Sequence, residues 1–306
     1  MLTVGILWVI GVYLPDFLFD FTFSDIIGNE TIATILSFAS SIFLYLIACL
    51  ILYLFLRKLP TLKGEPKKRM KIAGFLGWAA SMRGVAMVLS LVGLLLFILL
   101  AIIIKGPSSL MDVLTKANPL LQLGSLDMTL HLVLISIVAP IMEEIMMRRL
   151  LLDALRPFGD LVAILYSGLA FGLLHMNIQQ ITYACGLGLM LGYVMVQTNN
   201  IYVCIGLHAF LNATTAIILP FLDDFSMDMM SNLSGMLPLI LIMGFLVVLS
   251  IVGIILFFIY IKKVRLEKPR FRFSTPINWK LVLLSFGTIL YIILCLAISV
   301  IVIIRI

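Results

Sequence analysis

The chain has 306 residues, of which 63% are hydrophobic and 12% charged, and its mean hydropathy is +1.21. An ordinary soluble domain is about half apolar and about a quarter charged, so these few charges cannot cover a soluble particle of this size. That excludes the soluble globular, disordered, collagen-like and disulfide-scaffold classes. The formal charge of +6 is concentrated: Arg57, Lys58, Lys63, Lys67, Lys68, Arg69 and Lys71 lie in one short loop, and Lys262, Lys263, Arg265, Lys268, Arg270, Arg272 and Lys280 in another. This is the sign pattern of cytoplasmic loops, with contact to anionic headgroups, and it implies no nucleic acid.

A membrane span needs about 20 mostly apolar residues. On that measure the runs 2–19, 32–56, 84–105, 128–156, 160–176, 179–198, 201–221, 235–261 and 281–304 predict an all-α, polytopic bundle of eight or nine transmembrane helices. Residues 1–306 read as a single integral membrane domain. Pro15, Asp16 and Asp20 interrupt the first run, which lacks a basic n-region and reads as a retained span rather than a signal peptide. Lys68, Arg69 and Lys71 followed by Phe75, Trp78 and Met82 predict a short interfacial helix over 68–82. Cys49, Cys185, Cys204 and Cys295 sit in apolar runs, as small hydrophobes rather than disulfides or metal ligands. Gly186, Gly188 and Gly192 predict close helix packing.

Placing loops 57–71 and 262–280 in the cytoplasm leaves Asp16, Asp20, Asp25 and Glu30 outside, with Asp223, Asp224 and Asp228 of the 222–234 connection. The sign of every loop is then consistent with a cytoplasmic N-terminus in a multi-pass cell-membrane protein.

Ionisable groups at bilayer depth are costly, so each is a functional candidate. Glu143, Glu144 and Arg148 stand in the fourth run, His175 in the fifth, His208 and Asn212 in the seventh. Glu143 lies about 21 Å before Pro157 and His175 about 24 Å after Gly159 at 1.5 Å per residue, so an antiparallel hairpin sets them at one depth. Asn212 lies about 18 Å past the turn at Asn199–Asn200, and it shares a helix face with His208 one turn away. Glu144 and Arg148, also i and i+4, can neutralise each other. Glu143, rotated by about 100°, is left for chemistry. A carboxylate beside a histidine can take a proton from water, and His208 and Asn212 carry donors suited to a developing oxyanion.

Other polar residues have plainer readings. His131 is assigned to the outer interface or to packing, and Arg149, Asp153 and Arg156 to a solvated cytoplasmic helix end. Met142, Met146 and Met147 read as core filling. Pro140 is expected to kink the fourth helix and free a carbonyl, opening the site to water.

Glu143, Glu144 and Arg148 as EExxxR, Phe171 and His175 as FxxxH, and His208 and Asn212 as HxxxN resemble the CPBP family. These are the CAAX-protease and bacteriocin-processing membrane proteins, also called Abi. The resemblance covers about residues 125–220. It implies an intramembrane endopeptidase, reached from the cytoplasmic side, acting on membrane-anchored peptide or protein substrates within the lipid bilayer. It further implies that Glu143 activates water with His175, that His208 and Asn212 hold the oxyanion, and that Glu144, Arg148 and Phe171 shape the site. No cofactor is expected on this reading, a glutamic-type peptidase. The alternative is zinc on Glu143, His175 and His208, the His₂Glu set of catalytic zinc. Against zinc, the two histidines are on separate helices rather than in HExxH. A noncatalytic immunity or scaffold protein is the other alternative, although a scaffold has no need to bury these charges.

Overall fold

The computed structural model describes residues 30–58, 69–109, 132–217, 233–267 and 285–305. The first expected span, His131 and most of the three connecting loops lie outside these residues. The described residues contain helices and no strand, giving an all-α membrane helix bundle. Helix α1 is Glu30–Leu56 and α2 is Ile72–Lys105. Helix α3 is a continuous run of Leu134–Val138, Ala139–Glu144, Ile145–Leu152 and Asp153–Leu155, whose first and third stretches are π-helical. There follow α4 Asp160–Leu174, α5 Ile178–Thr198, α6 Ile201–Ala216, α7 Leu233–Ile261 and α8 Phe286–Arg305. Among the described residues, four are long and apolar enough to cross a membrane: α2, α5, α7 from Met236, and α8 to Ile304.

One expectation is corrected in α2. Residues 72–82 are not a separate interfacial helix but the start of a 34-residue helix, about 51 Å long at 1.5 Å per residue. No breaker interrupts it, and its first turns are gripped by α7. A Cβ at Gly84 would lie 2.9 Å from the Gly253 carbonyl carbon, and one at Gly253 would lie 3.1 Å from the Gly84 nitrogen. In lipid, where apolar area gives helices no reason to associate, such backbone proximity supplies the contact. The same device joins α4 to α5, where a Cβ at Gly188 would stand 2.8 Å from Gly168 Cα. The glycines expected to serve packing do so.

The α4–α6 turns rest on asparagine. Asn177 caps α5 by accepting from the Gln179 amide at 2.9 Å, and Asn200 caps α6 by accepting from Tyr202 at 3.0 Å. An N-cap carboxamide satisfies a donor that the first helical turn leaves unpaired. Asn199 closes α5 in the left-handed region at φ 49°, which asparagine tolerates better than most residues. Met146 and Met147 fill the core between α3 and its neighbours, and the four cysteines are free thiols.

The end of α3 corrects a second expectation. Asp153 is 1% exposed and Arg156 5% exposed, so these two charges are buried, whereas Arg149 is exposed as expected. Arg149 pairs with Asp153 at 3.2 Å and Arg156 with Asp160 at 3.5 Å. The chain leaving α7 folds over them: Asp160 Oδ2 accepts from the Glu267 amide at 3.0 Å, and Gln197 donates to the Arg265 carbonyl at 2.7 Å. Burying these charges is tolerable because each has an opposite partner.

Candidate active site

The π-helical stretches of α3 explain how its polar face is arranged. In π register the Ala139 amide bonds to the Leu134 carbonyl, so the next donor should come from residue 140 to Ile135. Residue 140 is proline, which has no N–H. The Asn212 side-chain amide replaces it, donating to the Ile135 carbonyl at 2.9 Å. Pro140 therefore does free a carbonyl, but a second helix occupies it instead of opening it to water. Helix α6 is thereby fastened to α3 one turn from His208.

Glu144 is fully buried and held on three sides. Arg148 Nε donates to Oε2 at 2.9 Å and an Nη to Oε1 at 3.4 Å. His208 Nδ1 lies 3.1 Å from Oε1. A carboxylate oxygen only accepts, so with Glu144 ionised beside Arg148 that Nδ1 carries the proton. The Arg148 guanidinium stands 5.3 Å from the Phe171 ring centre, a cation–π distance. The expected i,i+4 pair of Glu144 and Arg148 is present, with His208 added to it.

Glu143 has different company. Its Oε1 accepts from the Tyr45 hydroxyl at 2.7 Å, and its Oε2 lies 3.7 Å from His208 Nε2. Among the described residues it has no lysine or arginine partner. His208 thus spans the two neighbouring carboxylates, one at each ring nitrogen. Glu143 is 8% exposed.

His175 joins the cluster through Phe171 and not through either glutamate. Its Nδ1 lies 3.0 Å from the Phe171 carbonyl, which can only accept, so Nδ1–H donates and Nε2 is left for other partners. The Phe171 ring meets His175 edge-on at 5.1 Å and His208 edge-on at 5.4 Å. One buried ring therefore spaces both imidazoles and faces Arg148. Directly after His175 the backbone turns at Met176, fully buried with φ 49°, a region that costs a non-glycine residue energy. The tight turn positions the end of α4.

Two residues of this neighbourhood were not among the candidates. Tyr45 on α1 touches the carboxylate left for chemistry, and its signal was present: an aromatic with a polar tip in mid-span needs a partner. Arg83 was passed over because the third span was taken to begin at 84. In the continuous α2 it lies within the helix, with an Nη donating to Thr215 Oγ1 at 3.1 Å. Thr215 is one turn beyond Asn212 on α6.

Neither Glu143, His175 and His208 nor any other three His, Cys, Asp or Glu side chains among the described residues are gathered into a metal site. His208 Nδ1 faces Glu144, and His175 Nδ1 faces a backbone carbonyl. In both rings these contacts use Nδ1 and leave Nε2, which in His208 faces Glu143 Oε2 at 3.7 Å.

Comparison with known proteins follows the same residues. No curated protein and no solved structure matches the chain significantly. Residues 125–214 match the family model described as Type II CAAX prenyl endopeptidase Rce1-like. That segment holds Glu143, Glu144, Arg148, Phe171, His175, His208 and Asn212, whereas Tyr45 and Arg83 lie outside it. Over residues 125–214 this chain is therefore similar to CAAX-type membrane endopeptidases, and the match does not extend to the rest of its 306 residues.

Proposed function

We propose that this chain is an intramembrane endopeptidase that cleaves membrane-anchored peptides or proteins by water activated at Glu143, with its site open to the cytoplasm. The observation that carries the reading is the unequal treatment of two adjacent carboxylates. Glu144 is neutralised by Arg148, whereas Glu143 is buried beside a hydroxyl and an imidazole without a guanidinium or ammonium partner. A general base needs a free lone pair within reach of the proton it takes, and Glu143 Oε2 keeps one.

In this mechanism a water molecule is held between Glu143 Oε2 and the free Nε2 of His175. Glu143 takes its proton while the oxygen attacks the scissile carbonyl carbon. The developing oxyanion accepts from His208 Nε2–H in the doubly protonated ring, and from the Asn212 N–H not used on Ile135. Preorganised donors at that point act with little solvent to reorganise. Glu143 then returns the proton to the leaving amine as the C–N bond breaks. Tyr45 holds the carboxylate by its other oxygen throughout.

The test is purified protein in lipid against a library of membrane-anchored peptides. Cleavage is expected with the wild type and not with Glu143→Gln. Absence of cleavage across the library would favour the noncatalytic scaffold. Activity should survive prolonged chelation, and activity lost on chelation and restored by added zinc would replace this mechanism with a metal-dependent one.

A further inference from the structure

A cavity of ≈ 330 Å³ opens away from the glutamates, where the start of α2 meets the last turns of α5 and α7. This is the end from which both basic loops emerge. Its volume is at the small end of the roughly 300–1,000 Å³ usual for ligand pockets. Its wall is aromatic: Trp78 stands 5.5 Å from Tyr193 and 5.3 Å from Tyr260, ring centre to ring centre. Its cations come from two separate segments, Arg69 ahead of α2 and Lys263 just after α7, both exposed. Gln197, also lining it, ties down the Arg265 carbonyl and so fixes the segment that carries Lys263.

We propose that this cavity binds the phosphate headgroup of an anionic membrane phospholipid. Two cations at one opening repel a positive ligand such as a quaternary ammonium, which the aromatic wall alone would attract. A phosphodiester satisfies both. Tryptophan and tyrosine mark the headgroup level of a bilayer, and basic pockets between helices at the positively charged end recognise acidic lipids. The flanks fit the rest of the molecule: Ile72 is 80% exposed, Leu76 55% and Ile261 49%, so acyl chains leaving the cavity meet apolar helix surface. A soluble phosphate would make no use of these flanks. Bound there, the lipid bridges α2, α5 and α7.

The experiment measures retention of phosphatidylglycerol by the purified full-length chain in neutral detergent, using native mass spectrometry. Phosphatidylcholine and inorganic phosphate are run as parallel probes. Each cation near the surface contributes about fivefold, so Arg69→Gln with Lys263→Gln should weaken phosphatidylglycerol roughly 25-fold and leave phosphatidylcholine unchanged. The matched pair Lys58→Gln with Lys262→Gln removes the same charge from exposed residues that do not line the cavity, and should cost less than threefold. Gly77→Ala supplies a variant that keeps every cation. Its Cβ would run into the Tyr260 hydroxyl, and binding should fall several-fold as that wall shifts. Equal losses in the two double variants would show diffuse surface attraction and overturn the proposal. Unchanged retention without Arg69 and Lys263 would overturn it too, as would displacement of the lipid by equimolar inorganic phosphate.

Discussion

Two helix seams in this molecule are built on opposite principles. Midway along α2 and α7, beyond the Trp78–Tyr260 contact, there is almost no side chain between them: Gly84 and Gly253 bring the backbones together, and the Ser81 and Ser250 hydroxyls bond within their own helices. Between α3 and α6 the contact is charged and polar, through His208 with both glutamates and Asn212 with the Ile135 carbonyl. Lipid offers no hydrophobic reason for either pair to associate. The first seam gains dispersion at close range. The second buries expensive groups whose cost is met only while every partner stays in place. A seam of the first kind holds a bundle together, and one of the second kind has a use beyond holding it together.

The largest effect should come from the polar seam without any loss of structure. Glu143→Gln keeps an oxygen for the Tyr45 hydroxyl but loses the base, so turnover should fall about 10³–10⁴-fold, the upper range for general-base catalysis. Thermal unfolding should move little. His175→Ala should likewise abolish turnover in folded protein.

Arg148→Ala should do the reverse. It strands Glu144 as a buried charge, for which about 3–5 kcal/mol of destabilisation is usual. Thermal unfolding in detergent would show a depressed midpoint or no folded protein. If Glu143→Gln unfolded the chain while Arg148→Ala left it intact, the division between the two carboxylates would be wrong.

The glycine seam should respond through stability, with chemistry following only as folding is lost. Gly253→Val drives side-chain atoms into Ala80 and the Gly84 backbone, an overpacking of about 1–3 kcal/mol. The same loss of turnover per folded molecule as Glu143→Gln would join the two seams functionally and break the contrast drawn here.

The smallest effect sharpens the polar seam itself. Tyr45→Phe removes one hydrogen bond to an ionised group, so turnover should fall about tenfold with expression kept. An unchanged rate would mean that Tyr45 merely satisfies its own hydroxyl.

Much of this architecture was legible before any coordinates. Apolar runs located the helices because in lipid a segment must satisfy its own backbone. The i,i+4 spacing foretold the Glu144–Arg148 pair, since neighbours on one helix need no tertiary information. EExxxR, FxxxH and HxxxN marked the polar set. Other features were legible only in part. The join of 68–82 to the third span looked like a boundary because composition changes there, although no residue breaks the helix. Asp153 and Arg156 looked solvated because charges at a helix end usually are, and the segment after α7 that covers them is more than 100 positions away.

What the sequence determined by itself is local or statistical: membrane helices, the sign of the loops, and which ionisable groups lie at bilayer depth. Tertiary structure decided which partner each of those groups has. Tyr45 reaches Glu143 across 98 positions, and Asn212 reaches Ile135 across 77. No periodicity encodes such pairs, because they arise from the packing of whole helices. The physical distinction between the two glutamates lies there. They are adjacent in the chain, and only the helices surrounding them give one a guanidinium and the other a hydroxyl.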